Sequence, residues 1–167
     1  GNELYSIYIR DLHSGKQYTV DTNTSGITTW GKTDDSLHYI RYDSDCLLRP
    51  CQWMEWTRTG TKETRIHKHW EETDDRYWCR LRKTCDENFI LWICSTDGRR
   101  RIWALDLRSG TIDFVDASLK GTQRAPWYDV EHGNGYWWMI SSNDGPDVRD
   151  LYVRDDNQTG EWMLVPW

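Results

Sequence analysis

Phenylalanine is nearly absent from this chain of 167 residues, with two in all, and there are only four prolines and three methionines. No apolar run approaches the roughly 20 residues of a membrane-spanning helix. The first residues do not read as a signal peptide, so a cytoplasmic location is expected. No segment sustains apolar residues at a 3.6-residue period between capping signals, which excludes long amphipathic helices and leaves strands as the material of the fold. A positive charge excess is also missing: the net charge of -6 weighs against nucleic acid and anionic membranes as partners. The one dense basic run, Arg99-Arg100-Arg101, follows Asp97-Gly98 and is expected in a solvated turn. No Cys-x-x-Cys pair occurs among the five cysteines at 46, 51, 79, 85 and 94, and an odd count suits a reducing compartment. Cys46 and Cys51 flank a short loop that a disulfide could close, whereas Cys79 and Cys94 read as small core residues.

What is present is a repeat. An aromatic residue in a strand-like pattern, followed by a turn, recurs at Tyr8, Trp53, Trp103 and Tyr152, with spacings of 45, 50 and 49 residues. Residues 7–15 align with 102–110, sharing the Asp-Leu-x-Ser-Gly turn. A period of this size with strand patterning inside it indicates the blades of a β-propeller. Paired inner strands are expected at 27–31 and 36–42, at 76–81 and 89–95, and at 127–132 and 136–142, joined by polar turn clusters such as Gly133-Asn134-Gly135. The continuous apolar run 89–94 predicts a strand covered on both faces. The expected fold is thus all-β, a propeller-like array of about three and a half four-stranded antiparallel blades. It is divided into a half blade at 1–22 and blades at 23–70, 71–120 and 121–167. Twelve tryptophans and nine tyrosines supply the large side chains that such blades bury between sheets.

The search for chemistry is mostly negative. A serine nucleophile on a Gly-x-Ser-x-Gly elbow is absent, and no cofactor motif appears, so no cofactor is expected. His67-Lys68-His69 sets two imidazoles on one face of a strand, as a metal site could use, but spacing indicates no third ligand and an exposed strand pair is the simpler reading. The acidic cluster 71–75 reads as a solvated loop. Asp129 and Glu131 alternate along an expected strand and share a face, while His132 points to the other. If the inner strands face an axial opening, Thr28, Trp30, Tyr77, Cys79, Asp129 and Glu131 line or abut it, the acids favouring cationic peptides. Trp162 and Trp167 lie on the terminal blade, whose outer face is expected to pair with a second copy of the chain.

Four segments in one order carry a family resemblance. Leu48-Arg49-Pro50-Cys51-Gln52-Trp53 with Gly60-Thr61, then Glu71-Glu72-Thr73-Asp74-Asp75-Arg76-Tyr77-Trp78 with Leu81 and Lys83, are similar to blade segments of the oligopeptidase B branch of the prolyl oligopeptidase family. Tyr128-Asp129-Val130-Glu131-His132 and Ser142-Asn143-Asp144-Gly145 continue the correspondence. The resemblance implies part of a seven-bladed propeller that covers an α/β-hydrolase domain in cytoplasmic serine peptidases, excludes folded proteins and admits short peptides. About half of such a propeller is represented, and the catalytic Ser, Asp and His have no counterpart in this sequence. The function implied is gating and steering of short peptides towards a hydrolase domain. The rival readings are a freestanding peptide- or glycan-binding module rich in aromatics, and an engineered structural scaffold.

Overall fold

The computed structural model describes residues 3–42, 49–60, 63–115, 117, 119, 127–142, 149–156 and 161–166. Thirteen strands form three antiparallel sheets, and no helix occurs among the described residues. The first sheet has five strands, β1 (Tyr5–Arg10), β2 (Gln17–Trp30), β3 (Ser36–Tyr42), β4 (Pro50–Thr59) and β5 (Glu63–Glu71). The second has four, β6 (Trp78–Lys83), β7 (Phe89–Thr96), β8 (Arg99–Asp106) and β9 (Ile112–Phe114). The third also has four, β10 (Trp127–Gly133), β11 (Tyr136–Ser142), β12 (Asp150–Asp155) and β13 (Met163–Leu164). Within each sheet the spatial order is the chain order. The recurring aromatics Trp53, Trp103 and Tyr152 all fall on the third strand counted from β2, β6 and β10, so the sequence period is the period of the sheets.

The leading pair is not a separate half blade. Strand β2 runs unbroken for 14 residues, its first part paired with β1 (Tyr8 to Thr19, Arg10 to Gln17) and its second part with β3 (Thr28 to Tyr39, Trp30 to Leu37). One strand therefore does the work expected of two, and the expected break after residue 22 does not occur. The cause is local. No proline interrupts the segment, and the chain bends through two register shifts, one against β1 that holds Asn23 at a φ of 57° and one against β3 that holds Gly26 at 74°. Such a bulge increases bend and twist without ending a strand. Fully buried Thr24 anchors it by donating its hydroxyl to the Tyr5 carbonyl at 2.9 Å.

The chain divides into two compact units, 1–81 and 82–167. In the first, Ile7, Val20, Leu37, Tyr39, Met54 and Trp56 form a core drawn from four of the five strands. In the second, Leu91, Ile93, Ile102 and Ala104 pack with Tyr128, Val130, Trp137 and Met139, so that two sheets share one interior. Strand β7 is buried at six consecutive positions, as its unbroken apolar run requires, and each such Ile or Leu contributes about 1.5–3 kcal/mol. Strands β10 and β11 instead alternate strictly in burial, so one face of that hairpin is in the core and the other is open. The hairpin turn has the left-handed Asn134 and Gly135, at φ of 56° and 79°, that a two-residue turn of this kind needs.

Candidate functional site

The open face of β10 and β11 carries the candidate acids. Asp129 lies opposite Ile140 and Glu131 opposite Trp138, and residues facing each other across two strands stand on the same side. With Val130, Leu151 and Arg82 they line a shallow groove of about 150 Å³. Neither acid is solitary. Arg82 reaches Asp129 at 3.2 Å and Glu131 at 3.8 Å, and also donates to the Val130 carbonyl. Arg100 reaches Asp129 at 3.3 Å, donates to the Tyr128 carbonyl at 3.2 Å, and stacks over the Trp127 ring at 4.6 Å. Glu131 accepts from the Cys85 amide at 2.9 Å. Two guanidinium groups thus balance two carboxylates beside an exposed indole and two aliphatic side chains. Chemically this is a place where a peptide could exchange its own charges for those of the pair, with Trp138 and Ile140 supplying apolar contact.

Parity decides where the other candidates lie. Thr28 and Trp30 are exposed, Trp30 at 43%. Tyr77 and Cys79 are buried at 3% each, and the open side of that segment carries Trp78 and Arg80. Trp162 is buried among the core residues of the second unit, with Arg154 over its ring at 4.6 Å. The exposed apolar residues of the last strand are Met163 and Leu164. Trp167 and Cys46 lie outside the described residues, as does the segment 143–145. His132 points away from Asp129 and Glu131, as alternation requires. It is buried between Phe89 and Trp137, with Nδ1 2.6 Å from Asp86 Oδ2. Burial works against ionisation of Asp86, but hydrogen bonds from Thr84, Asn88 and His132 outweigh it and hold the carboxyl below its ordinary range.

Two charged runs differ from their expected settings. Arg99-Arg100-Arg101 is the opening of β8 rather than a solvated turn; the turn is left to the residues before it, and Gly98 takes a φ of 76°. The acidic cluster is built into the chain's own bonding: Glu72 is buried and accepts from the Asp74 amide, Asp74 holds Arg76, and Arg49 donates to the Asp74 carbonyl at 2.7 Å.

A second polar cluster escapes sequence reasoning because its members come from three strands. Ligand atoms of His38, Glu55 and His69 all lie within 4.8 Å of one another. The His67-x-His69 spacing marks one corner of it, but Glu55 and His38 are brought in only by the registers of β4 and β3.

The three meandering sheets define an all-β protein of the propeller type. The family model described as "Prolyl oligopeptidase, N-terminal beta-propeller domain" matches residues 1–165, and the chain belongs to that family. It is 28% identical over 138 residues to Protease 2 of Moraxella lacunata, covering 79% of this chain and 19% of that protein. Among solved structures, oligopeptidase B from Leishmania major superposes over 98% of this chain and 23% of its own, with a TM-score of 0.77 and 22% identity. Oligopeptidase B from Trypanosoma brucei covers 99% and 23%, with a TM-score of 0.70 and 17% identity. The chain therefore spans about a fifth of the length of these relatives.

Proposed function

We propose that this chain is a non-catalytic propeller segment of a cytoplasmic serine oligopeptidase, which gates access and steers short peptides to a hydrolase domain. The observation that supports it is the family match along 1–165, joined to a groove in which Asp129 and Glu131 stand beside exposed Trp138 and Ile140. The acids attract a cationic peptide even though Arg82 and Arg100 share them, because the chain as a whole carries a net charge of -6. No helix among the described residues is long and apolar enough to cross a membrane. The same reading includes pairing with a second copy of the chain, through the exposed edge at Met163 and Leu164.

Titration with a short arginine-containing peptide tests the steering role. Each exposed charge pair contributes about 0.2–1 kcal/mol, so the double variant Asp129→Asn, Glu131→Gln is expected to bind about two- to thirtyfold more weakly. The difference shrinks as salt shortens the reach of the field. Equal affinities at every salt concentration refute the role.

A further inference from the structure

In the five-stranded sheet, His38 pairs with Glu55 across β3 and β4, and Glu55 pairs with His67 across β4 and β5, placing the three in one row. Opposed residues share a face with their β-carbons about 5 Å apart. The register between β4 and β5 then slips: Met54 faces Lys68 while Trp53 faces Trp70, so His69 is an extra residue in β5. Bulges of this kind re-aim a side chain. Here the bulge sets His69 Nε2 2.9 Å from Glu55 Oε2, with its ring 4.8 Å from that of His67, edge to face. Glu55 also accepts from the Ser36 hydroxyl at 2.6 Å.

His38 has a different part. Its Nδ1 accepts from the Trp53 indole at 3.3 Å, and an indole N–H can only donate. The ring proton of His38 is thereby fixed on Nε2, which faces Glu55 Oε1 at 3.6 Å. With that proton in place Nε2 donates to the Ser36 hydroxyl at 3.5 Å and His38 offers the ion no lone pair. His67 is exposed, and its ring meets that of His69 edge to face.

We propose that Glu55, His67 and His69 form a binding site for a divalent transition-metal ion of the zinc class, with the Ser36 hydroxyl as the outer donor that orients Glu55. Bonds of about 2.1 Å in a tetrahedral arrangement separate ligand atoms by roughly 3.4 Å, so the Glu55–His69 pair needs to open by only a few tenths of an ångström. The proton that His69 shares with Glu55 moves to the other ring nitrogen or to water when the ion enters. Two imidazoles and one carboxylate suit zinc, copper or nickel, whereas magnesium and calcium prefer oxygen alone. Water completes the coordination from the open side. The ion would clip β5, the edge strand, to β4.

Calorimetric titration of the metal-free chain with Zn²⁺ tests the site, in a Cys46→Ser, Cys85→Ser background that removes the one exposed thiol among the described residues and the one outside them. One saturable site is expected. Since even outer-shell partners are worth 10–100-fold in affinity, Glu55→Gln, His67→Gln and His69→Gln should each weaken binding by at least about tenfold. Far-UV circular dichroism of each variant establishes that the sheet persists. Substituted Co²⁺ should give visible bands without thiolate charge transfer, and His67→Gln should shift them. The proposal fails if no saturable binding occurs below about 1 mM. It fails equally if binding survives His69→Gln or Glu55→Gln, if His67→Gln leaves affinity and spectrum unchanged, or if the cobalt spectrum shows thiolate ligation.

Discussion

Replacing Gly26 by alanine tests the shared-strand reading of β2. Gly26 has φ of 74°, and a β-carbon there would lie 3.1 and 3.2 Å from two atoms of the Tyr5 ring. Gly98, at φ of 76°, has no atom within 4 Å of the same position. The backbone cost is therefore common to both sites and the contact cost belongs to Gly26 alone. Left-handed backbone costs an L-residue about 1–2 kcal/mol, partly offset by about 0.4–1 kcal/mol from a less flexible unfolded chain. Gly98→Ala should lose about 1 kcal/mol on this arithmetic. Tyr5 is 45% exposed and able to tilt, so its crowding adds on the order of 0.5–1 kcal/mol rather than the larger cost of overpacking a closed core. Urea unfolding of Gly26→Ala should then show a loss of about 2 kcal/mol, and the Tyr5→Ala, Gly26→Ala double variant should recover the contact part as a coupling energy. A neutral or stabilising Gly26→Ala, or a cycle with no coupling, would refute both the bend at this position and its closure by Tyr5.

Two further outcomes follow from the second unit. Because Asp86 titrates below its ordinary range in the folded chain, its contribution to stability is complete above about pH 4 and is lost as pH falls through the lowered value. Asp86→Asn should therefore be less stable by about 1–3 kcal/mol at pH 7, with the deficit closing towards zero in unfolding curves taken at progressively lower pH; a deficit independent of pH refutes the ionised Asp86–His132 contact. Sedimentation at micromolar concentration should show self-association that Met163→Ser with Leu164→Ser weakens, and a monomer indifferent to both changes refutes that edge as a contact.

The strands that sequence located best are those whose signal is local. Strands β3 and β11 begin and end where largely apolar stretches meet polar turns, at 36–42 and 136–142, and the Asn134-Gly135 turn is legible because few residues tolerate positive φ. Strand β2 misleads for the converse reason. Asn23 and Gly26 read as turn residues, and only pairing with two neighbours at once keeps the strand whole. Parity was legible on β10, where apolar and charged residues alternate, but not at Tyr77 and Cys79, where every residue on either side is large or polar. Trp162 shows how little an isolated aromatic says about its surroundings: Tyr128, Met139 and the rest of its cluster lie far off in sequence. The groove acids are legible as a pair, but their partners Arg82, 47 residues from Asp129, and Arg100 follow no spacing rule.

Every strand in the three sheets pairs only with its neighbour in the chain. The loops closed on folding are consequently short, and closure entropy, which grows with loop length, stays small at each step. Folding of such a chain does not wait for its two ends to meet. Hairpins such as β10–β11 form on the microsecond scale and offer a finished edge for the next strand, so the sheet grows as fast as sequence is supplied to it. For an all-β protein this is unusual economy of search, since slow folding in that class comes from pairing distant strands. Amide hydrogen exchange should accordingly proceed sheet by sheet, with β7 and β4 the last to open because their residues are buried most deeply.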